Sequence, residues 1–180
     1  MTAKKYLTAN EITHDSFELA HEIYRNGFIP DAIIALWRGG SPIGIAVHEY
    51  MKMKGVKCYH TVVKCTSYTG IETSGTPEIE NIDFVMKHVG RDANVLVVDD
   101  IFDTGRTAAC MKSVLGKISS NVKIATLYFK PSRNTTDFEP DFFVRKTDAW
   151  IVFPHELEGL SREEIRAKDP FIHDLLFERE

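Results

Sequence analysis

The sequence predicts an α/β fold in which a mainly parallel, twisted sheet is flanked by helices. Three short apolar runs, at residues 31–37, 93–100 and 122–129, have the length and β-branched content of buried strands. Segments with helical periodicity separate these runs, and strands that alternate with helices are typical of parallel sheets with right-handed crossovers. Ligands of such sheets bind at the carboxyl ends of the strands, so we expect the functional residues there.

The remaining elements follow from local patterns in chain order. An amphipathic helix is expected over residues 8–26. Its predicted buried face consists of Ile12, Phe17, Leu19 and Ile23. The other predicted elements are a helix from Ser41 to Gly55, a strand at 56–65, a helical turn at 81–89, a helix at 104–117 and strands at 141–144 and 149–153. Ser161 and Glu164 form a capping-box pattern that predicts a short helix near the end of the chain.

The chain is expected to fold as a single domain over residues 1–180. Its length is ordinary for one domain, and no internal repeat, low-complexity tract or linker divides it. Residues 66–80 are rich in Thr, Ser, Gly and Glu, which is the composition of a long mobile loop. A loop of this length in a compact domain is usually functional or disordered.

Charge and cysteine content limit the classes of function. The formal net charge of −4 gives no electrostatic basis for a nucleic-acid partner. The three cysteines lack C-x-x-C spacing, which disfavours a disulfide framework or zinc knuckle and favours a reducing cytoplasm. The N-terminal segment has no apolar signal core, and no apolar run approaches about 18 residues, so secretion and a membrane span are disfavoured.

Two strand-to-helix turns lie where this fold binds ligands, W-R-G-G-S-P-I-G at 37–44 and D-D-I-F-D-T-G-R-T-A at 99–108. Neither matches a common nucleotide motif. The glycines of the first turn lack the G-x-G-x-x-G spacing, and the second turn has Asp100 where a Walker A motif has its first glycine. Ordinary dinucleotide binding and P-loop hydrolysis of triphosphates are therefore disfavoured.

The second turn has the chemistry of a receptor for a phosphorylated sugar. Thr104 and Gly105 open a helix whose backbone N–H groups and positive dipole suit a phosphate. Asp99 and Asp100 would repel a phosphate, but they can accept hydrogen bonds from sugar hydroxyls, directly or through a bound Mg²⁺ and its waters. The alternative is that Asp103 or Thr104 caps the helix and that the paired aspartates form a solvated strand end.

The string V-L-V-V-D-D-I-F-D-T-G-R-T-A at 95–108 resembles the phosphoribosyl-diphosphate motif of the type I phosphoribosyltransferases. W-R-G-G at 37–40 resembles their pyrophosphate-binding loop, most closely the R-G-G form of the xanthine-guanine enzymes. Ser67-Tyr68 resembles the Ser-Tyr pair of their mobile catalytic loop. Lys130 and the segment W-I-x-x-P-x-E at 150–156 match their purine-recognition elements, in the same order along the chain.

The resemblance covers about residues 30–156 and implies the type I phosphoribosyltransferase fold. The implied activity is Mg²⁺-dependent transfer of the 5-phosphoribosyl group from phosphoribosyl diphosphate to a 6-oxopurine, with release of pyrophosphate, in purine salvage. The implied organisation is a core at about 30–130 and a small hood at about 131–180, to which N-terminal residues can contribute. The mobile catalytic loop is expected at 66–80, and the expected assembly is a homodimer or homotetramer.

The resemblance also implies a role for each matching residue. Asp103 is the expected proton acceptor at the purine ring nitrogen, with Ser67 and Tyr68 as further catalytic residues. The expected contacts to phosphoribosyl diphosphate come from Arg38, Gly39, Gly40, Asp99, Asp100, Thr104, Gly105, Arg106 and Thr107. Mg²⁺ is expected at Asp99 and Asp100, and at Glu156 through water. The Trp37–Arg38 peptide bond is the candidate for the cis bond that often occurs in the pyrophosphate loop of this family.

The purine-binding residues implied by the resemblance are Lys130, Trp150 and Ile151. A lysine donor suits a 6-oxo group and is an unfavourable match for the 6-amino group of adenine. Trp150 or Ile151 would stack on or flank the purine, although core packing is the alternative for both. Hypoxanthine, guanine and xanthine remain equally open as acceptors.

Two other functions fit parts of the pattern. A regulatory protein that senses phosphoribosyl diphosphate would retain the motif at 95–108, but the chain has no helix-turn-helix extension and no basic face. A phosphoribosyltransferase for another nucleobase, such as adenine or a pyrimidine, would also retain that motif. Lys130 and the Trp150 segment disfavour this second alternative.

Overall fold

The computed structural model describes residues 4–66 and 78–178, which divide into two compact units. The larger unit comprises Asn10–Asp148, and the smaller unit combines the residues up to Ala9 with those from Ala149 onward. In chain order the elements are β1 (Lys4–Tyr6), α1 (Ala9–Arg25), β2 (Ala32–Trp37), α2 (Gly40–Met53), β3 (Tyr59–Thr66), β4 (Glu78–Glu80), α3 (Ile82–His88), β5 (Asn94–Phe102), α4 (Arg106–Leu115), β6 (Asn121–Phe129), β7 (Phe142–Lys146), β8 (Trp150–Val152), α5 (Arg162–Lys168) and α6 (Pro170–Phe177).

A six-stranded sheet with the order β4-β3-β2-β5-β6-β7 forms the centre of the larger unit. Its neighbouring strands are parallel, except for the antiparallel pair of β3 and β4 at one edge. Parallel strands require long crossovers, and α2 and α4 provide two of them, between β2 and β3 and between β5 and β6. The predicted α/β fold with a mainly parallel sheet and flanking helices is confirmed.

The two central strands, β2 and β5, are buried because helices cover the sheet on both sides. The first five residues of β2 and residues 95–98 of β5 are buried apolar side chains. Ala35 of β2 lies opposite Val98 of β5 in the parallel register. The residues that follow these two positions therefore leave the sheet at the same edge, which brings the two predicted ligand turns together.

The smaller unit contains a two-stranded parallel sheet, β1 with β8, and the helices α5 and α6. The predicted capping box is present, because Ser161 Oγ accepts from the Glu164 backbone N–H at 3.2 Å and the Glu164 carboxylate accepts from the Ser161 N–H at 2.8 Å. Lys168 Nζ donates to the carbonyls of Phe153, at 2.8 Å, and Glu156. Burial lowers the pKa of Lys168 below its ordinary value.

The structure corrects three details of the sequence-based prediction. Phe17 is 42% exposed, because the buried stripe of α1 follows a three-to-four-residue spacing that bypasses it. The helix expected from residue 104 begins at Arg106, because the residue before it, Gly105, has a left-handed φ of 77°. The hood was expected from about 131, whereas the smaller unit begins at Ala149, because β7 pairs with β6 in the large sheet.

Among residues 4–66 and 78–178, no helix is both long enough and apolar enough to cross a membrane.

Candidate active site

The site is built around the carboxyl end of β5 and the turn that follows it. A cavity of about 250 Å³ opens there, and its walls are formed by residues 99–108 and by side chains of β2, β5 and β6. The buried apolar residues of β5 anchor the strand, so the polar residues after them are carried to the edge of the sheet. The sequence-predicted phosphoribosyl motif therefore lines one continuous concave surface.

The turn at residues 103–107, here called the D-T-G turn, requires a glycine at position 105. Gly105 occupies the N-cap of α4 with φ 77°, a left-handed backbone conformation that residues other than glycine rarely adopt. A Cβ there would also lie 2.7 Å from the Phe102 ring and 2.8 Å from Thr136. Since Gly105 is the N-cap residue, the alternative in which Asp103 or Thr104 caps the helix is wrong.

Asp99 and Asp100 lie side by side at the edge of the cavity. Burial of the Asp99 carboxyl and the adjacent charge of Asp100 raise the pKa of Asp99 well above its ordinary value. A hydrogen bond of 3.0 Å from the Asp100 backbone N–H to Asp99 Oδ1 opposes that shift. This arrangement favours a ligand that brings hydrogen-bond donors or positive charge to the pair.

Asp103 has the opposite surroundings, because two cations contact its carboxylate. Lys130 Nζ lies 3.1 Å from Asp103 Oδ2, and Arg133 Nε lies 2.5 Å from Asp103 Oδ1. Lys130 follows β6 and is buried, with its backbone N–H donating to the Phe102 carbonyl at 2.9 Å. The structure thus brings Lys130 and Asp103 together.

The R-G-G loop, residues 38–40, lies against the paired aspartates. A Cβ added at Gly39 would overlap the Asp100 carboxylate, and one at Gly40 would overlap the Val98 carbonyl. Glycine is therefore needed at both positions for the loop to approach β5. The Trp37–Arg38 peptide bond is cis, as expected from the family resemblance. Arg38 is exposed at the start of the loop.

The other predicted residues of the D-T-G turn, Thr104, Arg106 and Thr107, also line the cavity. Thr104 Oγ1 accepts from the Arg106 backbone N–H at 3.5 Å, a long contact. The Thr104 carbonyl accepts from the backbone N–H and the hydroxyl of Thr135, at 3.1 and 2.9 Å. These contacts fasten the turn to the segment that follows β6.

The remaining predicted residues belong to the smaller unit or fall outside the described residues. Trp150, which is 55% exposed, and the buried Ile151 belong to β8 of the smaller unit. In the same unit, Glu156 Oε2 accepts from the Phe153 backbone N–H at 3.0 Å, which closes a tight turn. Ser67 and Tyr68, with most of the predicted mobile loop, lie outside the described residues.

Arg133 contacts Asp103 at the site but was not predicted from the sequence. The signal available was its position three residues after Lys130, in K-P-S-R. An exposed arginine after a proline has no distinguishing pattern of its own, and its contact with Asp103 joins residues that are 30 positions apart.

Comparison with known proteins identifies the family. The sequence profile of the phosphoribosyl transferase domain matches residues 2–161. Hypoxanthine-guanine phosphoribosyltransferase of Lactococcus lactis is 40% identical over 107 residues, which are 57% of this chain and 53% of that protein. Xanthine-guanine phosphoribosyltransferase of Desulfotalea psychrophila is 31% identical over 153 residues, which are 83% of this chain and 84% of that protein.

A solved structure supports the same assignment. The purine phosphoribosyltransferase of Pyrococcus horikoshii matches with a TM-score of 0.70 and 29% identity, covering 88% of this chain and 97% of that one. The match to the Lactococcus protein spans about half of its length, whereas the matches to the other two proteins span 84% and 97% of their lengths. The family profile extends over both the R-G-G loop and the D-T-G turn. This chain belongs to the phosphoribosyl transferase domain family.

Proposed function

We propose that this chain transfers the 5-phosphoribosyl group from phosphoribosyl diphosphate to a 6-oxopurine and releases pyrophosphate, as a purine salvage enzyme. The observation that carries the proposal is the pairing of buried Lys130 with Asp103 beside the D-T-G turn. This pair offers a cation for the 6-oxo group and a carboxylate for the proton of the purine ring nitrogen. The names of the three relatives support a purine acceptor.

In this proposal the donor lies along the cavity at the end of β5. Its 5′-phosphate would bind Thr104, Gly105, Arg106 and Thr107 at the start of α4, where backbone N–H groups and the helix dipole favour an anion. Its pyrophosphate would bind the R-G-G loop, through the backbone at Gly39 and Gly40 and the guanidinium of Arg38. Its ribose hydroxyls would donate to Asp99 and Asp100.

The paired carboxylates fit Mg²⁺, which prefers oxygen ligands and usually retains several waters. Partial burial and mutual repulsion make the ionised pair unfavourable by itself, and a divalent cation would relieve that repulsion. Bound Mg²⁺ would supply charge stabilisation to the departing pyrophosphate. A contact from Glu156 through water stays a prediction, since Glu156 Oε2 already accepts from Phe153.

The reaction breaks the bond between C1 of the ribose and a pyrophosphate oxygen, and it forms a bond between C1 and a purine nitrogen. The proton of that nitrogen would pass to Asp103. Because an ammonium has three donors, Lys130 can hold Asp103 and donate to the 6-oxo group at once. Trp150 and Ile151 as purine contacts, and Ser67 and Tyr68 as catalytic residues, are part of the same proposal.

Release of pyrophosphate tests the proposal. The protein is incubated with Mg²⁺ and phosphoribosyl diphosphate, and with hypoxanthine, guanine, xanthine, adenine or uracil in separate reactions. We expect release with at least one 6-oxopurine, and omission of Mg²⁺ should abolish it. Activity with adenine or uracil alone would contradict the 6-oxopurine assignment. Donor binding without turnover of any base would favour the regulatory alternative.

The cytoplasmic location and the homodimeric or homotetrameric assembly stay predictions. Light scattering coupled to gel filtration would measure the assembly directly, with and without phosphoribosyl diphosphate.

A further inference from the structure

Arg133 is the second cation on the Asp103 carboxylate, and the proposed reaction does not use it. Its Nε lies 2.5 Å from Asp103 Oδ1, while Lys130 Nζ takes the other oxygen at 3.1 Å. The two cations differ in burial, since the Lys130 side chain is 9% exposed and that of Arg133 is 57% exposed. Lys130 is thus fixed in the interior, and Arg133 approaches the carboxylate from the solvent side.

The segment that carries Arg133 is held in place at several points. Pro131–Arg133 forms a 3₁₀ turn in which the Arg133 N–H donates to the Lys130 carbonyl at 3.2 Å. Ser132 Oγ donates to Asp148 on one side of the turn. On the other side, Thr135 donates twice to the Thr104 carbonyl of the D-T-G turn. The backbone therefore presents Arg133 to Asp103 in a defined position.

We propose that Arg133 is a positioning residue for Asp103: it holds this carboxylate in a fixed orientation so that Lys130 can be shared with the purine. The inference rests on the proposed function and deepens it, because it concerns the proton acceptor of that reaction. A carboxylate oxygen has two acceptor positions, so contacts from both cations still leave Asp103 able to accept a proton.

The charges around Asp103 explain why a second cation matters. From β5, Asp99 and Asp100 line the same cavity and repel a neighbouring carboxylate, and from α4 the exposed Arg106 lines it as a cation. From the segment after β6, Lys130 and Arg133 contact Asp103 directly. When Lys130 also donates to a purine oxygen, its hold on Asp103 weakens, and Arg133 keeps the carboxylate in place.

The test measures steady-state kinetics with a 6-oxopurine and phosphoribosyl diphosphate. We expect Arg133→Gln to lower kcat about tenfold, as for loss of one charge-assisted hydrogen bond that orients the proton acceptor. KM for phosphoribosyl diphosphate should stay within about threefold of wild type. Arg133→Lys should restore most of the wild-type kcat. Arg91→Gln, at an exposed position outside the cavity, is the matched control and should leave kcat unchanged.

The crystal structure of Arg133→Gln provides the second readout. We expect the Asp103 carboxylate to leave the position that it has beside Lys130 in the wild type. An unchanged kcat in Arg133→Gln overturns the proposal, and so does a lowered kcat with Asp103 still in its wild-type position. If wild type turns over no base, the proposed function fails, and the position of Asp103 in Arg133→Gln still decides whether Arg133 holds it.

Discussion

Two groups of carboxylates, only three residues apart in sequence, have opposite electrostatic surroundings. At Asp99, burial and the charge of Asp100 raise the pKa, so the ionised form is disfavoured. At Asp103, Lys130 and Arg133 contact the two carboxylate oxygens, so its charge is paired within the chain. The negative charge of Asp99 and Asp100 therefore needs a ligand or cation from outside the chain to balance it. The negative charge of Asp103 is balanced by Lys130 and Arg133 of the chain itself.

This difference corresponds to two kinds of task. A pair of carboxylates with unfavourable charge gains most from a ligand that brings hydroxyl donors or a divalent cation, which suits it for binding the donor. A carboxylate held by two cations has a fixed direction before any ligand arrives, which suits it for accepting a proton from a bound purine. We therefore propose that Asp99 and Asp100 bind the donor and that Asp103 takes part in the chemical step.

The largest expected effect comes from Asp103→Asn, which separates the two tasks. An amide cannot accept the purine proton, so kcat should fall by about 10²–10⁴-fold. Binding of phosphoribosyl diphosphate with Mg²⁺, measured by calorimetry, should stay within about threefold of wild type because Asp99 and Asp100 are intact. The exposed Asp137 provides the control Asp137→Asn, with the same change of charge. Loss of donor binding in Asp103→Asn would show that Asp103 also binds the donor, and the proposed division of tasks would be wrong.

Lys130→Gln should affect the acceptor side alone. Loss of a charge-assisted hydrogen bond to the 6-oxo group corresponds to an increase of KM for the purine of about 10–100-fold. KM for phosphoribosyl diphosphate should change little, and Lys146→Gln, on β7, serves as a control of equal charge change. Equal increases in both KM values would show that Lys130 supports the whole site rather than the purine.

Asp99→Asn should stabilise the protein while weakening donor binding. Since the pKa of Asp99 in the folded chain lies above the ordinary value of 3.8, the folded state holds this proton more tightly than the unfolded state. The contribution of Asp99 to stability is therefore lost as pH rises from near 3.8 through the raised pKa. At about pH 8 the variant should gain about 2–4 °C in Tm, or about 1 kcal/mol, and the gain should vanish near pH 4.

Thermal melts at both pH values and donor titrations measure these two effects. The affinity for phosphoribosyl diphosphate with Mg²⁺ should fall about tenfold, as for loss of one charge-assisted contact. Asp92→Asn, at an exposed turn, should change neither quantity. If Asp99→Asn is less stable than wild type at the higher pH, the negative charge of Asp99 is already stabilised by groups within the chain.

The sheet and the two ligand turns could be predicted because their signals are local. The apolar runs of β2, β5 and β6 define strands, and the polar and glycine residues that follow them define turns at the sheet edge. The start of α4 was displaced by two residues because the left-handed Gly105 ends the turn immediately before the helix. The exact start of the helix depends on the left-handed conformation of Gly105, and a glycine in the sequence does not by itself predict that conformation.

Other features depend on contacts between distant residues. β1 is a three-residue strand of polar composition, and it exists because its backbone pairs with β8. Arg133 acquires its place from the fastening of its segment to Thr104 and Asp148. Neither β1 nor Arg133 stands in a recognisable sequence pattern. The strand β8, which pairs with β1, and Asp103, which contacts Arg133, each lie more than 25 positions away in the sequence.

The smallest expected effect concerns Glu156, whose carboxylate could belong to either kind of group. Its Oε2 accepts from the Phe153 N–H, a contact that the amide oxygen of Gln can reproduce. Glu156→Gln should therefore change kcat and the Mg²⁺ requirement by less than about threefold. Glu156→Ala should lower the unfolding free energy by about 1 kcal/mol, measured by urea denaturation, because the buried end of the turn loses its acceptor.

Titration of activity with Mg²⁺ decides the assignment of Glu156. If Glu156→Gln raised the Mg²⁺ concentration for half-maximal activity about tenfold, as loss of a residue that orients a metal ligand does, Glu156 would join the donor-binding carboxylates. If the Mg²⁺ requirement is unchanged and only Glu156→Ala loses stability, Glu156 is a third kind of carboxylate, whose hydrogen-bond donor is the Phe153 backbone N–H. Its carboxylate would then stabilise the turn at Phe153, and phosphoribosyl diphosphate would be bound by Asp99 and Asp100 of β5.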